Sequence, residues 1–186
     1  MLFSLYDVTV PSFIQSADAL VRILDKAKAH FEAAGVDPDS VTDIRFAPDM
    51  KPLHYQVQSA GHHAVEALRG LRTGVCLPPK AHDTMTYAQM QAIAGQAALD
   101  LRSFTPEEVN GLVGSDVVFR LWGTDTPYLA EDFLLTFAIP NVYFHATTAY
   151  DLLRNRGVPL GKKDFLGWMR IKKPVRAAAP VAGAPR

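Results

Sequence analysis

Apolar residues recur at three- and four-residue steps through four stretches of the chain, each bounded by helix start or stop signals. In the first, Phe13, Ala17, Leu20, Val21, Leu24, Ala27 and Phe31 make one stripe, the period that buries one face of a helix. It predicts a helix over residues 9–34. Pro11 is tolerated near the start, where the amide lacks a helical partner, and Gly35 supplies the stop. Leu53, Val57, Ala60, Ala64, Leu68 and Leu71 predict a second helix, beginning near Met50 or Pro52 and closed by Gly74. The connector from Cys76 to Asp83 contains Pro78-Pro79 and reads as extended loop. Thr86 and Gln89 then have capping-box spacing. They open a third helix with the stripe Tyr87, Met90, Ala94, Ala97 and Leu101, and Thr105-Pro106-Glu107-Glu108 signals one more short helical turn.

The pattern then changes period. Residues 116–122 are β-branched and aromatic, Gly123-Thr124-Asp125 is a turn signal, and residues 125–129 predict a returning strand that Pro127 restricts to an edge. A single small hairpin is expected. The fourth long helix is predicted from Ala130 to Arg156, with Glu131 and Asp132 at its positive end and Gly157 and Pro159 ending it. Pro140 lies inside it and predicts a kink, with a carbonyl near residue 136 losing its usual donor. Four long helices, one hairpin and no internal repeat make an all-α helical bundle.

A chain of 186 residues with 48% hydrophobic and 20% charged content fits one domain. Residues 1–173 are assigned to that domain, and the Ala/Pro-rich stretch 174–186 is expected to be a disordered tail. Lys+Arg and Asp+Glu balance at 19 each, which removes the simple electrostatic case for nucleic acid or an anionic membrane as partner. No apolar run approaches the roughly 20 residues of a membrane span, and the start of the chain lacks the pattern of a signal peptide. Cys76 is the one cysteine, so no intramolecular disulfide forms, and a reducing, cytoplasmic setting is expected.

Candidate chemistry narrows to the histidines. No HExxH, glycine-rich phosphate loop or GxSxG elbow occurs. In the fourth helix Asn141 and His145 are four residues apart and share a face with Phe137 and Leu152. Two readings follow from the residues: a hydrogen-bonded core pair that fixes helix packing, or metal ligation or proton transfer by His145. The second helix carries His54, Gln56, His62 and His63. Gln56 borders the apolar stripe, His54 can face either way, and the His62–His63 pair straddles the boundary with one ring solvated.

Several segments together resemble a known group. Ser4-Leu-Tyr-Asp-Val-Thr-Val-Pro11, Ala47-Pro-Asp-Met50, Gln56-Val57, Pro140-Asn-Val-Tyr-Phe-His-Ala-Thr-Thr-Ala-Tyr150 and Gly157-Val-Pro-Leu-Gly-Lys-Lys-Asp-Phe-Leu-Gly167 look like signatures of an uncharacterised family. That family is a domain of unknown function within the DinB/YfiT-like superfamily. The resemblance covers roughly residues 1–167 and implies a four-helix bundle with an up-down-down-up path and a long crossover between helices two and three. It also implies a three-histidine site for zinc, nickel or a similar ion, one ligand from helix two and two, four apart, from helix four. Here His145 matches one helix-four ligand, Asn141 stands where the other would be, and the helix-two position falls on Gln56, or on His54 if the register slips by two. One imidazole with two amides is a poor donor set for zinc or nickel. The leading expectation is a degenerate metal site in a small-molecule-binding or accessory protein. Its pocket is formed by Gln56, Asn141, His145 and Tyr150, no cofactor is expected, and the protein is a homodimer. The alternative is a divalent-metal-dependent transferase or hydrolase in which His54 and His145 hold zinc or nickel.

Overall fold

The computed structural model describes residues 3–172. The stretch 174–186, expected as a tail, lies outside the described residues. Four long helical stretches carry the core. They are α1 (Leu5–Ala33), α2 (Leu53–Thr73), α3 (Tyr87–Asp100) and a last helix made of α5 (Ala130–Asp132), a π-helical segment (Phe133–Ala138) and α6 (Ile139–Asn155). Short helices α4 (Pro106–Asn110) and α7 (Lys162–Leu166) and two 3-10 turns (Pro38–Val41 and Leu101–Ser103) complete the helical part among the described residues. Among the described residues no helix is long and apolar enough to cross a membrane.

The start of α1 precedes the predicted one by four residues. Ser4 Oγ accepts the Asp7 amide, and the Asp7 carboxylate accepts the Ser4 amide, a reciprocal cap that holds the first turn. Pro11 therefore sits well inside the helix rather than at its opening. The cap predicted at Thr86 and Gln89 forms with the same reciprocal bonds, as does one at Thr105 and Glu108. The predicted stripes of α2 and α3 are buried throughout.

Side-chain pairs set the helix directions. Arg102 reaches Asp18, and the Tyr87 hydroxyl donates to the Leu24 carbonyl, so α1 and α3 are antiparallel. Arg69 meets Asp100, and Gly61 lies against Ala97, so α2 and α3 are parallel. Gln56 meets His145 while His63 meets Phe137, so α2 runs antiparallel to the last helix.

The expectation of a lone hairpin is corrected to a three-stranded sheet. Strands β2 (Asp116–Leu121) and β3 (Thr124–Leu129) pair antiparallel as predicted. A third strand, β1 (Val75–Cys76), pairs parallel to β2 in the order β1-β2-β3, where the sequence reads as loop. Two residues are too few to display a period of two, and the pairing partner is some forty positions away. The sheet is anchored through Phe119, whose ring lies 4.5 Å from that of Phe137, and Phe137 stacks on Phe133 at 5.1 Å. Just before Pro140 the last helix widens into the π segment, where the Ile139 amide reaches the Leu134 carbonyl. Leu135, Thr136 and Pro140 are exposed, so the turn in which the proline removes an amide donor lies at the surface.

Candidate functional site

Gln56 is 3% exposed in the second turn of α2, turned toward α6. Its Nε2 donates to the Lys51 carbonyl at 2.9 Å, which orients the amide and directs Oε1 at His145 Nδ1, 2.7 Å away. A carboxamide oxygen only accepts, so Nδ1 of His145 carries the proton and Nε2 carries the lone pair. The tautomer is thus set by the lysine carbonyl through the glutamine.

The rings around His145 form an aromatic wall. His63, buried two turns beyond Gln56 on α2, lies parallel to His145 with centroids 5.5 Å apart and 5° between planes. Tyr55 and Phe144 meet His145 edge-on at 6.1 and 5.2 Å. Phe137 meets His63 edge-on at 5.7 Å, so the chain of contacts runs from the hairpin through Phe119, Phe137 and His63 to His145. Burial pushes the His145 ring down to about 4. His63 is pushed down to about 3, first by burial and then by the neighbouring His145 and His62. Both rings are neutral at pH 7, so the site offers lone pairs and no positive charge.

The other sequence candidates stand elsewhere. Asn141 is partly buried, and its Nδ2 donates back to the Phe137 carbonyl of its own helix at 2.8 Å; no hydrogen bond joins it to His145. Tyr150 lies in a separate groove beside α7, its ring 5.9 Å from Phe165 and flanked by Asp151 and Lys162. His54 is 1% exposed and faces away from His145, its Nε2 3.8 Å from the Asp43 carboxylate. Positions 54 and 56 project about 200° apart on a helix, so the residue that turns inward to His145 is Gln56. The pairing of His54 with His145 is therefore not formed, and Tyr150 is not gathered with Gln56 and His145.

Tyr55 is absent from the sequence-based candidates, and His63, placed there at the edge of the apolar stripe, is not included in the expected pocket. The signal for His63 was its seven-residue separation from Gln56, two full turns on the same face. Among the described residues no three His, Cys, Asp or Glu side chains converge as a metal site. Gln56 Oε1 is engaged by the His145 N–H and Asn141 Nδ2 by its own helix, so the three positions that the resemblance implies leave one imidazole nitrogen, His145 Nε2, and one amide oxygen, Asn141 Oδ1. The donor set does not fit zinc or nickel. Cys76 adds no ligand: it is buried on β1, and burial pushes its thiol up to about 12.

A family model described as a domain of unknown function, DUF1993, matches residues 5–166. The chain belongs to the DUF1993 family. Its structure is similar to the crystal structure of a DinB family member protein from Shewanella denitrificans, at 34% identity and a TM-score of 0.75, covering 91% of this chain and 96% of that one. No curated protein matches. For this DUF1993 protein the likeness supports a DinB-like, mostly helical fold with a small sheet.

Proposed function

We propose that the protein is a metal-poor, DinB-like bundle that binds a small planar molecule at His145, as a binding or accessory protein. The observation that carries this reading is the fixed tautomer. Nδ1–H is held on Gln56 Oε1 at 2.7 Å, so Nε2 is an oriented acceptor in an aromatic surround. A ligand with a ring N–H or O–H opposite Nε2 and a flat face against the aromatic side chains meets both features. The same nitrogen can accept a proton, so acid–base work on such a ligand lies within its reach. The up-down-down-up path, a cytoplasmic setting and a homodimer belong to the same proposal. Support for the dimer is the apolar surface left exposed by Leu135, Tyr143 and Phe144.

Two measurements test it. Tag-free protein loaded with zinc or nickel and desalted should retain well under one equivalent; near-stoichiometric metal that disappears in His145→Ala overturns the metal-poor reading. A thermal-shift screen of planar N–H heterocycles at pH 7 should give binders whose effect is lost in His145→Leu and kept in Tyr150→Phe. Binders indifferent to His145→Leu would move the ligand away from this site.

A further inference from the structure

A different face of α2, turned toward α3, carries two adjoining recesses that share His62, Glu66 and Arg69. The larger, about 250 Å³, is completed by Gln58, Gln96 and Asp100, and the smaller, about 160 Å³, continues past Thr73 toward β1. We propose that this groove binds a small aliphatic amine in its ammonium form, held by the acceptors that the groove leaves without donors.

The hydrogen bonds already made decide the chemistry. His62 Nε2 lies 2.8 Å from the Leu77 carbonyl. A carbonyl only accepts, so Nε2 carries the proton and Nδ1 is left as an acceptor. Gln58 Nε2 donates to the Lys80 carbonyl at 2.7 Å, and its Oε1 stays buried in the groove wall without a partner. Leaving such an oxygen unmatched is costly, and a turn of the amide into the groove brings it to an incoming donor. The Arg69 guanidinium is divided between Glu66 at 2.7 Å and Asp100 at 2.9 Å, and Gln96 Nε2 is engaged by Asp100 at 2.8 Å. Two carboxylates thus face one cation, which leaves the groove net negative, and unmatched acceptors remain beside them. A donor-rich cation fits that balance; an anion does not. Val65, Ile93 and Ala97 supply an apolar strip along the same groove for a methylene chain. The site is separate from the Gln56–His145 pair and stands whether or not that pair binds a ligand.

The test uses 1,4-diaminobutane as probe and butane-1,4-diol as its uncharged counterpart, followed by amide NMR shifts of the full chain at low ionic strength. The diamine should give saturable shifts at Gly61 and Gly70, which line the groove, and the diol should give none. Arg69→Gln removes the resident cation and should tighten diamine binding about fivefold, and Asp100→Asn should weaken it by about the same factor, the worth of one nearby unit charge in water. Opposite signs are the signature, because a merely structural role for both residues would move them together. Equal shifts from the diol, shifts scattered over the surface, no saturable shift in the unaltered protein, or both variants moving binding the same way would each overturn the proposal.

Discussion

A neutral imidazole pair makes the protein sensitive to acid in a direction that follows from burial. His63 and His145 fall from the ordinary value near 6.5 to about 3 and about 4 in the fold. Between those values and 6.5 the unfolded chain binds more protons than the native one, so stability rises with pH. Their contribution is complete above about 6.5 and is lost as pH falls, down to about 4 for His145 and about 3 for His63. Each ring adds at most about 1.4 kcal/mol per pH unit across that window. Urea unfolding between pH 7 and pH 4.5 should therefore show a steep loss, flattened in His63→Phe. An unchanged slope in that variant would mean that His63 is solvated. The same scale shows what periodicity conveys and what it omits. The spacing of Asn141 and His145 on one face is readable from the chain, but a face is not a rotamer. Asn141 bonds its own helix at Phe137, and His145 takes its partner from α2, 89 positions away. Nothing local in either segment encodes that choice.

At the scale of elements, the hairpin tip holds the chain's one described non-glycine residue with positive φ. Leu121 pairs with Thr124, so Trp122 and Gly123 alone make the turn, with φ of 49° and 80°. Two positive φ values define a type I′ turn, which favours Asn-Gly and penalises a bulky side chain at the first position. Trp122 is 94% exposed and recovers little of that cost through packing. Trp122→Asn should stabilise the fold by about 1 kcal/mol in denaturant unfolding. A loss of stability instead would show that the indole is packed in solution. The hairpin itself was readable because the β-branched run and Gly123 stand next to each other. The start of α1 was not, because Pro11 resembles an opening residue while the true signal, Ser4 with Asp7, is three residues apart and precedes the apolar stripe. The caps at Thr86 and Thr105 are legible because each pair directly precedes a stripe or a proline.

Across the whole molecule, sheet and bundle are joined where β1 crosses α2, and that contact depends on a missing side chain. A methyl group on Gly70 would lie far inside van der Waals contact distance of Cys76 Sγ and 2.9 Å from the Val75 carbonyl oxygen. The absence of a Cβ therefore lets the strand lie directly on the helix, with Cys76 Sγ 3.7 Å from the Ala67 carbonyl. β1 in turn aligns β2, which carries Phe119 against Phe137 and so backs His63 and the candidate site. Gly70→Ala should cost about 2–3 kcal/mol, the usual penalty for overfilling a close contact. The double variant Gly70→Ala/Cys76→Ala removes the sulfur but not the backbone oxygen, so only part of the loss should return. Full recovery in denaturant unfolding would place the whole conflict at the thiol. No loss in the single variant would mean that β1 does not rest on α2 and that the sheet does not brace the histidines.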